Sequence, residues 1–353
     1  MIRIILIFAF IIVNLSQPVW AKIASVIGDP ISNDIYFEVN KNTRNYPASL
    51  TKIMTLYIIF EEIRLGNLKI NEKIVFSKYA TSQQPSKLNI KVNESITVDQ
   101  AIDALIIKSA NDVAVAIAEK ISGNENKFVK KMNKYAKEMN LNNTNFANPH
   151  GLPNKSNLSS AYDIFLLSSH LIKDYPEYLY RFKKTNIKIK GKTYETHNNL
   201  LKKDDKYIGL KTGYIRKSGF QISLLSEVNG EYLLGIYFGG NSAKERNNKI
   251  NFLMNKYQNY SNNKKTTTKI NEKKNKKKKT VIVQTSSFKR ISLSKKHIAF
   301  IKNRINFLSN YHHNIAKKGN YFISYIELSD YQTANSICKK IKLKKLDCIV
   351  KVN

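Results

Sequence analysis

Acidic residues are scarce in this 353-residue chain: 26 Asp and Glu stand against 59 Lys and Arg, a formal net charge of +33. An excess of that sign favours polyanions as partners, whether nucleic acid, an anionic membrane or an acidic polymer. Lysine, asparagine and isoleucine are abundant along the whole chain, so a general compositional bias accounts for the charge equally well. Cysteine is nearly absent, with only Cys338 and Cys348, and no cysteine or histidine cluster suggests a metal or a cofactor. The apolar run from Ile4 to Val13 falls short of the roughly 20 residues that span a bilayer.

That run belongs instead to an export pattern. "MIRIILIFAFIIVNLSQPVWAK" opens with Arg3 in a short charged start. The apolar stretch follows, and a proline-containing polar stretch ends at Val19-Trp20-Ala21. This predicts a signal peptide over residues 1–21, cut after Ala21, and places the mature protein in the periplasm or at the cell wall. An uncleaved anchor is the alternative. Export weighs against nucleic acid as the partner and permits a Cys338–Cys348 disulfide; two free buried thiols are the other reading.

At 42% hydrophobic residues the chain can bury a core, and its length fits one large domain and one small one. The composition breaks near Asn259. "NNKKTTTKINEKKNKKKKT", from Asn262 to Thr280, has nine lysines and one glutamate, which predicts a disordered, self-repelling linker over 261–280. It serves either as a spacer or as a tether that clings to acidic wall polymer. In the first unit, 22–260, "IASVIGD" and "IYFEVN" read as strands. "SLTKIMTLYIIFEEIRLG" reads as a helix with apolar positions Ile53, Leu56, Ile59 and Ile63, stopped at Gly66. Two more helices break at Ser109–Asn111, the second ending at Gly123. A third runs up to Asn140, a residue suited to a left-handed cap. Asn229-Gly230 between apolar runs predicts a hairpin. Strands at both ends with helices between them imply a sheet with helical layers.

Three motifs in this unit point to chemistry. Ser49-Leu50-Thr51-Lys52 opens a helix. Four other S-x-x-K matches, beginning at Ser261, Ser286, Ser292 and Ser336, lie in the linker or beyond it. Ser109-Ala110-Asn111 falls at a helix break, and Lys211-Thr212-Gly213 lies on a strand. A serine hydroxyl becomes a nucleophile when a base takes its proton, and a spacing of three puts Lys52 on the same helical face as Ser49. Lys52 acts as that base only when neutral, a state favoured by burial and by the charge of Lys211. Ser109 suits a proton relay to the leaving amine, and the Asn111 amide suits a peptide backbone. Lys211 and Thr212 suit a terminal carboxylate, and Gly213 permits close approach of substrate. The backbone N–H groups of Ser49 and Tyr214 suit an oxyanion. Taken singly, each motif has a plain structural reading; their order gives them weight.

In these motifs and their flanks, "YPASLTKIMT", "KSANDVAVAIAE", "FVKKMNKYAKEMNLNNTNFANPHGLP" and "GLKTGY", the chain resembles the D-alanyl-D-alanine carboxypeptidases, the low-molecular-mass penicillin-binding serine peptidases (family S11), over about Ile23–Tyr257. The resemblance implies an α/β fold of the β-lactamase/transpeptidase type: an antiparallel sheet with helices on both faces and a helical subdomain. It implies removal of the terminal D-Ala from peptidoglycan pentapeptide stems through an acyl-enzyme on Ser49, with β-lactams as covalent inhibitors. No cofactor or metal is expected. Arg246 stands where the family places an arginine for the substrate carboxylate. Asn140, Asp34 and Ile215 depart from the family's usual residues, Ile215 beside the oxyanion strand. One rival is a class A-like β-lactamase, because Glu138-Met139-Asn140-Leu141-Asn142 fits E-x-x-L-N. Another is an inactive wall-binding protein, against which the intact motifs argue.

The last unit, 281–353, reads strand, helix, strand, helix, strand with an internal echo. It resembles a SPOR domain, a small α+β module that binds peptidoglycan glycan strands stripped of stem peptides at the septum. That resemblance places Gln284, Ser287 and Phe288 on the glycan-binding sheet face and brings Cys338 and Cys348 together across the fold.

Overall fold

The computed structural model describes residues 23–272, 281–305, 307–308, 311–328, 330–344 and 346–352, with 259–272 as backbone alone. The expected signal peptide and the end of the expected linker lie outside the described residues. The chain divides into two compact units near Thr266 and Thr267.

The first unit begins with strands β1 (Ala24–Gly28) and β2 (Ile35–Val39) and helix α1 (Lys52–Arg64). A helical layer follows: β3 (Lys73–Val75), α2 (Lys78–Thr81), β4 (Ser95–Thr97), α3 (Val98–Ile107), α4 (Asn111–Ser122), α5 (Glu125–Glu138), α6 (Ala161–Asp174) and α7 (Leu179–Phe182). Hairpin strands β5 (Asn186–Ile189) and β6 (Lys192–Glu195) lead to the long strands β7 (Tyr207–Ile215), β8 (Gly219–Val228) and β9 (Glu231–Gly240), and then to α8 (Ala243–Glu272). The main sheet is antiparallel in the order β2-β1-β9-β8-β7.

Local sequence explains the joints. Thr97 and Gln100 close a capping box on α3. Gly123, at φ +81°, ends α4, and Asn140 follows α5 at φ 57°, with the Leu141 N–H donating back to Ala136 O. Asn229 and Gly230, at φ 54° and 75°, form the β8–β9 turn, the pair of left-handed residues that a tight hairpin of this hand needs.

Burial along α1 goes beyond the expected apolar stripe. Met54, Ile58 and Phe60 are as buried as Ile53, Leu56 and Ile59, because α3, α4, α5 and α6 all pack against the helix; a helix apolar on every side belongs in a core. The sheet is covered on both faces, as expected. Val26, Leu225, Leu234 and Ile236 join the core with α1, α3, α4 and α6. Ile27, Leu224 and Leu233 face Ile250 and Met254 of α8. Gly235 lets α8 come close, since a Cβ there would lie 2.6 Å from the Met254 sulfur.

Residues 261–272 correct the linker expectation, because their backbone continues α8 to Glu272. Neither Gly nor Pro occurs between Gly240 and Gly319, so nothing in the backbone stops a helix already anchored by Ile250 and Met254.

The second unit contains β10 (Val281–Phe288), α9 (Ile291–Arg304), β11 (His313–Lys318), β12 (Tyr321–Leu328), α10 (Tyr331–Leu343) and β13 (Ile349–Val352). It has one more strand than expected, because β11 and β12 form a hairpin through Gly319, at φ +60°. The sheet order β11-β12-β10-β13 is the split βαβ arrangement. Its core joins Val281, Val283 and Ile326 to Ile301, Ile337 and Ile341 of the helices. A disulfide links Cys338 of α10 to Cys348 beside β13, with Cα atoms 5.4 Å apart.

Candidate active site

Ser49 lies on a 3-10 turn, Ala48–Thr51, that feeds directly into α1. Ala48 takes a left-handed φ of 46°, and the surrounding packing holds it there. A Cβ on Gly151 would lie 1.8 Å from Ala48 O, and one on Gly213 would lie 3.2 Å from Ser49 N. Gln221 of β8 donates to Tyr46 O at 2.7 Å, tying the approach to the sheet. Two glycines at close contacts and a buried amide therefore set the turn between the sheet edge and the loop at 148–152.

Lys52 is fully buried. Its Nζ contacts Asn111 Oδ1 at 2.7 Å, His150 O at 2.6 Å and Ser49 Oγ at 3.2 Å. Burial first, and then the charge of Lys211, push its pKa well below the ordinary lysine value, with Asp112 opposing. Thr55, one turn along α1, donates to Pro149 O at 2.6 Å, so the loop offers two successive carbonyls to one helix face.

Ser109 stands at φ 60° between α3 and α4. It caps neither helix: its buried Oγ has no hydrogen-bond partner among the described residues. Asn111 has partners beyond its expected role. Its Oδ1 accepts from Lys52 and its Nδ2 donates to Gln84 O at 2.8 Å, so the amide chiefly orients the lysine and leaves one N–H for a substrate carbonyl.

Lys211 is buried on β7, where its Nζ donates to Thr212 O at 3.0 Å. Burial, then the neighbouring Arg246, lowers its pKa to about 7. Burial lowers Arg246 to about 10, so it stays cationic at neutral pH; its guanidinium is held by Asn247 Oδ1 and Gln221 O. Ser49, Ser109, Asn111, Thr212, Gly213, Tyr214 and Arg246 line one cavity of about 370 Å³, with His150 and His197. Among the described residues its wall includes no carboxylate. β7 is an edge strand, so one of its sides pairs with no other strand of the sheet and can take an extended peptide.

His150 and Asp112 were missed as contributors by the sequence reading. His150 lies in the quoted block "ANPHGLP", but it serves through a backbone carbonyl, which no side-chain pattern announces. Burial, then Lys52, lowers its imidazole to about 3, so it is neutral at physiological pH. Glu138, the residue on which the β-lactamase reading rests, is exposed on α5 and does not line the cavity.

Sheet, helical layers and a Ser–Lys pair at their junction define the class of protein: the β-lactamase and transpeptidase type. Residues 13–238 match Peptidase S11, D-alanyl-D-alanine carboxypeptidase. The chain is 33% identical over 250 residues to the D-alanyl-D-alanine carboxypeptidase DacF of Bacillus subtilis, a match covering 67% of this chain and 63% of that one. It is 33% identical over 228 residues to DacA of Haemophilus influenzae, covering 63% and 58%. Penicillin binding protein 6B of Escherichia coli superposes with a TM-score of 0.64 at 29% identity, covering 68% of this chain and 77% of that one. Penicillin-Binding Protein D2 of Listeria monocytogenes, solved in an ampicillin-bound form, gives 0.59 at 28% identity, covering 67% and 96%. The chain belongs to the peptidase S11 family. It spans somewhat less than two thirds of the length of the two curated relatives, and the family match ends before α8 and the second unit.

Proposed function

We propose that the protein is a serine D-alanyl-D-alanine carboxypeptidase acting on peptidoglycan pentapeptide stems. The observation that carries this reading is the set of partners around Lys52. A neutral amine has two N–H donors and one lone pair. In that form Asn111 Oδ1 and His150 O, the two close acceptors, take the N–H groups, and the lone pair is left for the Ser49 hydroxyl, whose oxygen lies 3.2 Å from Nζ. These partners aim the Lys52 nitrogen at Ser49, and burial favours the neutral form that general-base catalysis needs.

Ser49 Oγ then attacks the penultimate D-Ala carbonyl carbon as its proton passes to Lys52. The oxyanion is held by the N–H groups of Ser49 and Tyr214, on the converging turn and strand. As the C–N bond breaks, Lys52 returns its proton through Ser109 Oγ to the departing amine. Thr212 and Arg246 of the cavity wall, with the charge of the buried Lys211, receive the terminal carboxylate. Water then releases the acyl group. β-Lactams follow the same path and stop at the acyl-enzyme.

In this reading fluorescent penicillin labels the purified protein, and pentapeptide yields free D-alanine. Ser49→Ala abolishes both; labelling that survives the substitution overturns the assignment. Rapid penicillin turnover without D-alanine release marks a β-lactamase instead.

For the second unit the reading is a SPOR-like glycan binder that directs an exported enzyme to septal wall. Sheet register supports part of the expected face: Gln284 lies opposite Tyr325 and Ile349, and Ser287 opposite Ile323, on the side away from the helices. Phe288 is removed from that face. It pairs with Phe322 and packs on His297 of α9, ring centroids 5.6 Å apart, because the bulge between Gln284 and Ser286 shifts the alternation. The full chain is expected to bind denuded sacculi more tightly than intact sacculi, and Gln284→Ala with Tyr325→Ala to remove the difference. Equal binding by the unsubstituted chain rejects the glycan reading. Export is tested by the N-terminus of protein recovered from the periplasm: Lys22 is expected, Met1 is not.

A further inference from the structure

Asp112 follows Asn111, the partner of Lys52, is fully buried and has no ion pair among the described residues. Its carboxylate accepts the backbone N–H groups of Leu88 (3.0 and 3.1 Å), Asn89 (3.0 Å) and Val113 (2.9 Å). Leu88 is held from its other side by Tyr194, whose hydroxyl donates to Leu88 O at 3.0 Å. The neighbouring Asn111 bonds the same segment twice, N to Ser86 O at 2.7 Å and Nδ2 to Gln84 O at 2.8 Å. Residues 84–89 are thus stitched to the start of α4, and Pro85 and Ser86 form a wall of the cavity.

We propose that Asp112 is a positioning residue of this site, which moors the 84–89 wall and places a buried negative charge behind Lys52 that opposes the cation at Lys211. The inference rests on Lys52 being the base for Ser49. Three N–H donors converging on one group call for two oxygens; an amide would turn its own NH₂ towards one of them. Keeping a charge here is costly unless it is well solvated by such donors, and the N-terminal turn of α4 adds a favourable dipole.

The groups facing Lys52 are Ser49 on its own turn, Asn111 and Asp112 on α4, His150 on the loop and Lys211 on β7. Those around Asp112 are Lys87 and Tyr194. Among these, Asp112 raises the proton affinity of Lys52, while burial and Lys211 lower it. Burial raises the Asp112 carboxyl itself; its three N–H bonds and Lys87 work against that rise. Lys211 is depressed by burial and Arg246, and so provides an internal control.

The test is the rate constant of Ser49 acylation by fluorescent penicillin as a function of pH, with the half-saturating concentration recorded in parallel. Removing the charge in Asp112→Asn makes Lys52 harder to protonate. The acid limb of the rate constant is therefore expected to move down by about one pH unit. The pH dependence of half-saturation, set by Lys211, stays in place. Asp112→Glu, which keeps a carboxylate, is expected to hold the limb at its original position. If Asp112→Asn does not fold, Asp112→Ser removes the same charge and carries the same expectation. A limb that stays or rises when the charge is removed, with folded protein counted by labelling at saturation, overturns the proposal even if the rate falls. Absence of labelling in the unsubstituted protein overturns the Ser49 reading and this inference with it.

Discussion

The two units place their polar groups in opposite ways. In the first, Lys52, Asn111 and Lys211 are almost completely buried, and they come from segments far apart in the chain. In the second, Gln284 and Tyr325 are half-buried and sit on adjacent strands, on the sheet face away from the helices. Enclosure changes chemistry: a buried ammonium loses water and gives up its proton readily, whereas a partly exposed amide or phenol works by shape and hydrogen bonding. Damage to the first unit should therefore appear as lost rate, and damage to the second as lost binding or stability.

The largest break in that contrast is Lys52→Ala. Acylation of Ser49 is expected to fall by about 10³-fold or more, with binding to sacculi unaffected; a parallel loss of sacculus binding would show that the units do not act separately. Next is the pair Cys338→Ser with Cys348→Ser. Opening the disulfide is expected to destabilise the second unit by about 3 kcal/mol, read by denaturant unfolding, while saturation labelling of Ser49 stays constant.

A smaller effect comes from pH. Lys211 has a folded pKa of about 7, so it is charged below that pH and neutral above it. Carboxylate binding should weaken as pH rises through 7, KM for pentapeptide climbing by about fivefold between pH 7 and pH 8. Deprotonation of Lys52 acts in the opposite sense, raising kcat, so the two lysines separate into KM and kcat. The smallest effect is Glu138→Gln, expected to change D-alanine release by less than about twofold because the side chain is exposed on α5 and away from the cavity. A large loss there would revive the class A-like reading.

Much of this was legible along the chain. Helix stops at Gly66 and Gly123, the left-handed Asn140 and the Asn229-Gly230 turn follow from φ preferences that belong to single residues. Ser49, Lys52, Ser109 and Lys-Thr-Gly stood out because three motifs occurred in one order; the fold brings Ser49, Ser109, Thr212 and Gly213 to one cavity and buries Lys52 and Lys211. What escaped notice is long-range. His150 acts through a carbonyl, and Asp112 through N–H groups of Leu88 and Asn89, more than twenty residues earlier. The face of Phe288 depended on a bulge that a period-two reading steps over.

Residue order by itself determined the chemical inventory and the local turns: a serine and lysine one helical turn apart, glycines where the backbone must come close, a break between α3 and α4. Each of these depends only on neighbours in the chain. Tertiary structure decided the state of Lys52. Its proton affinity is set by loss of water, by Lys211 across the cavity and by Asp112 behind it, and electrostatic energy depends on distance and burial, which residue order alone does not specify.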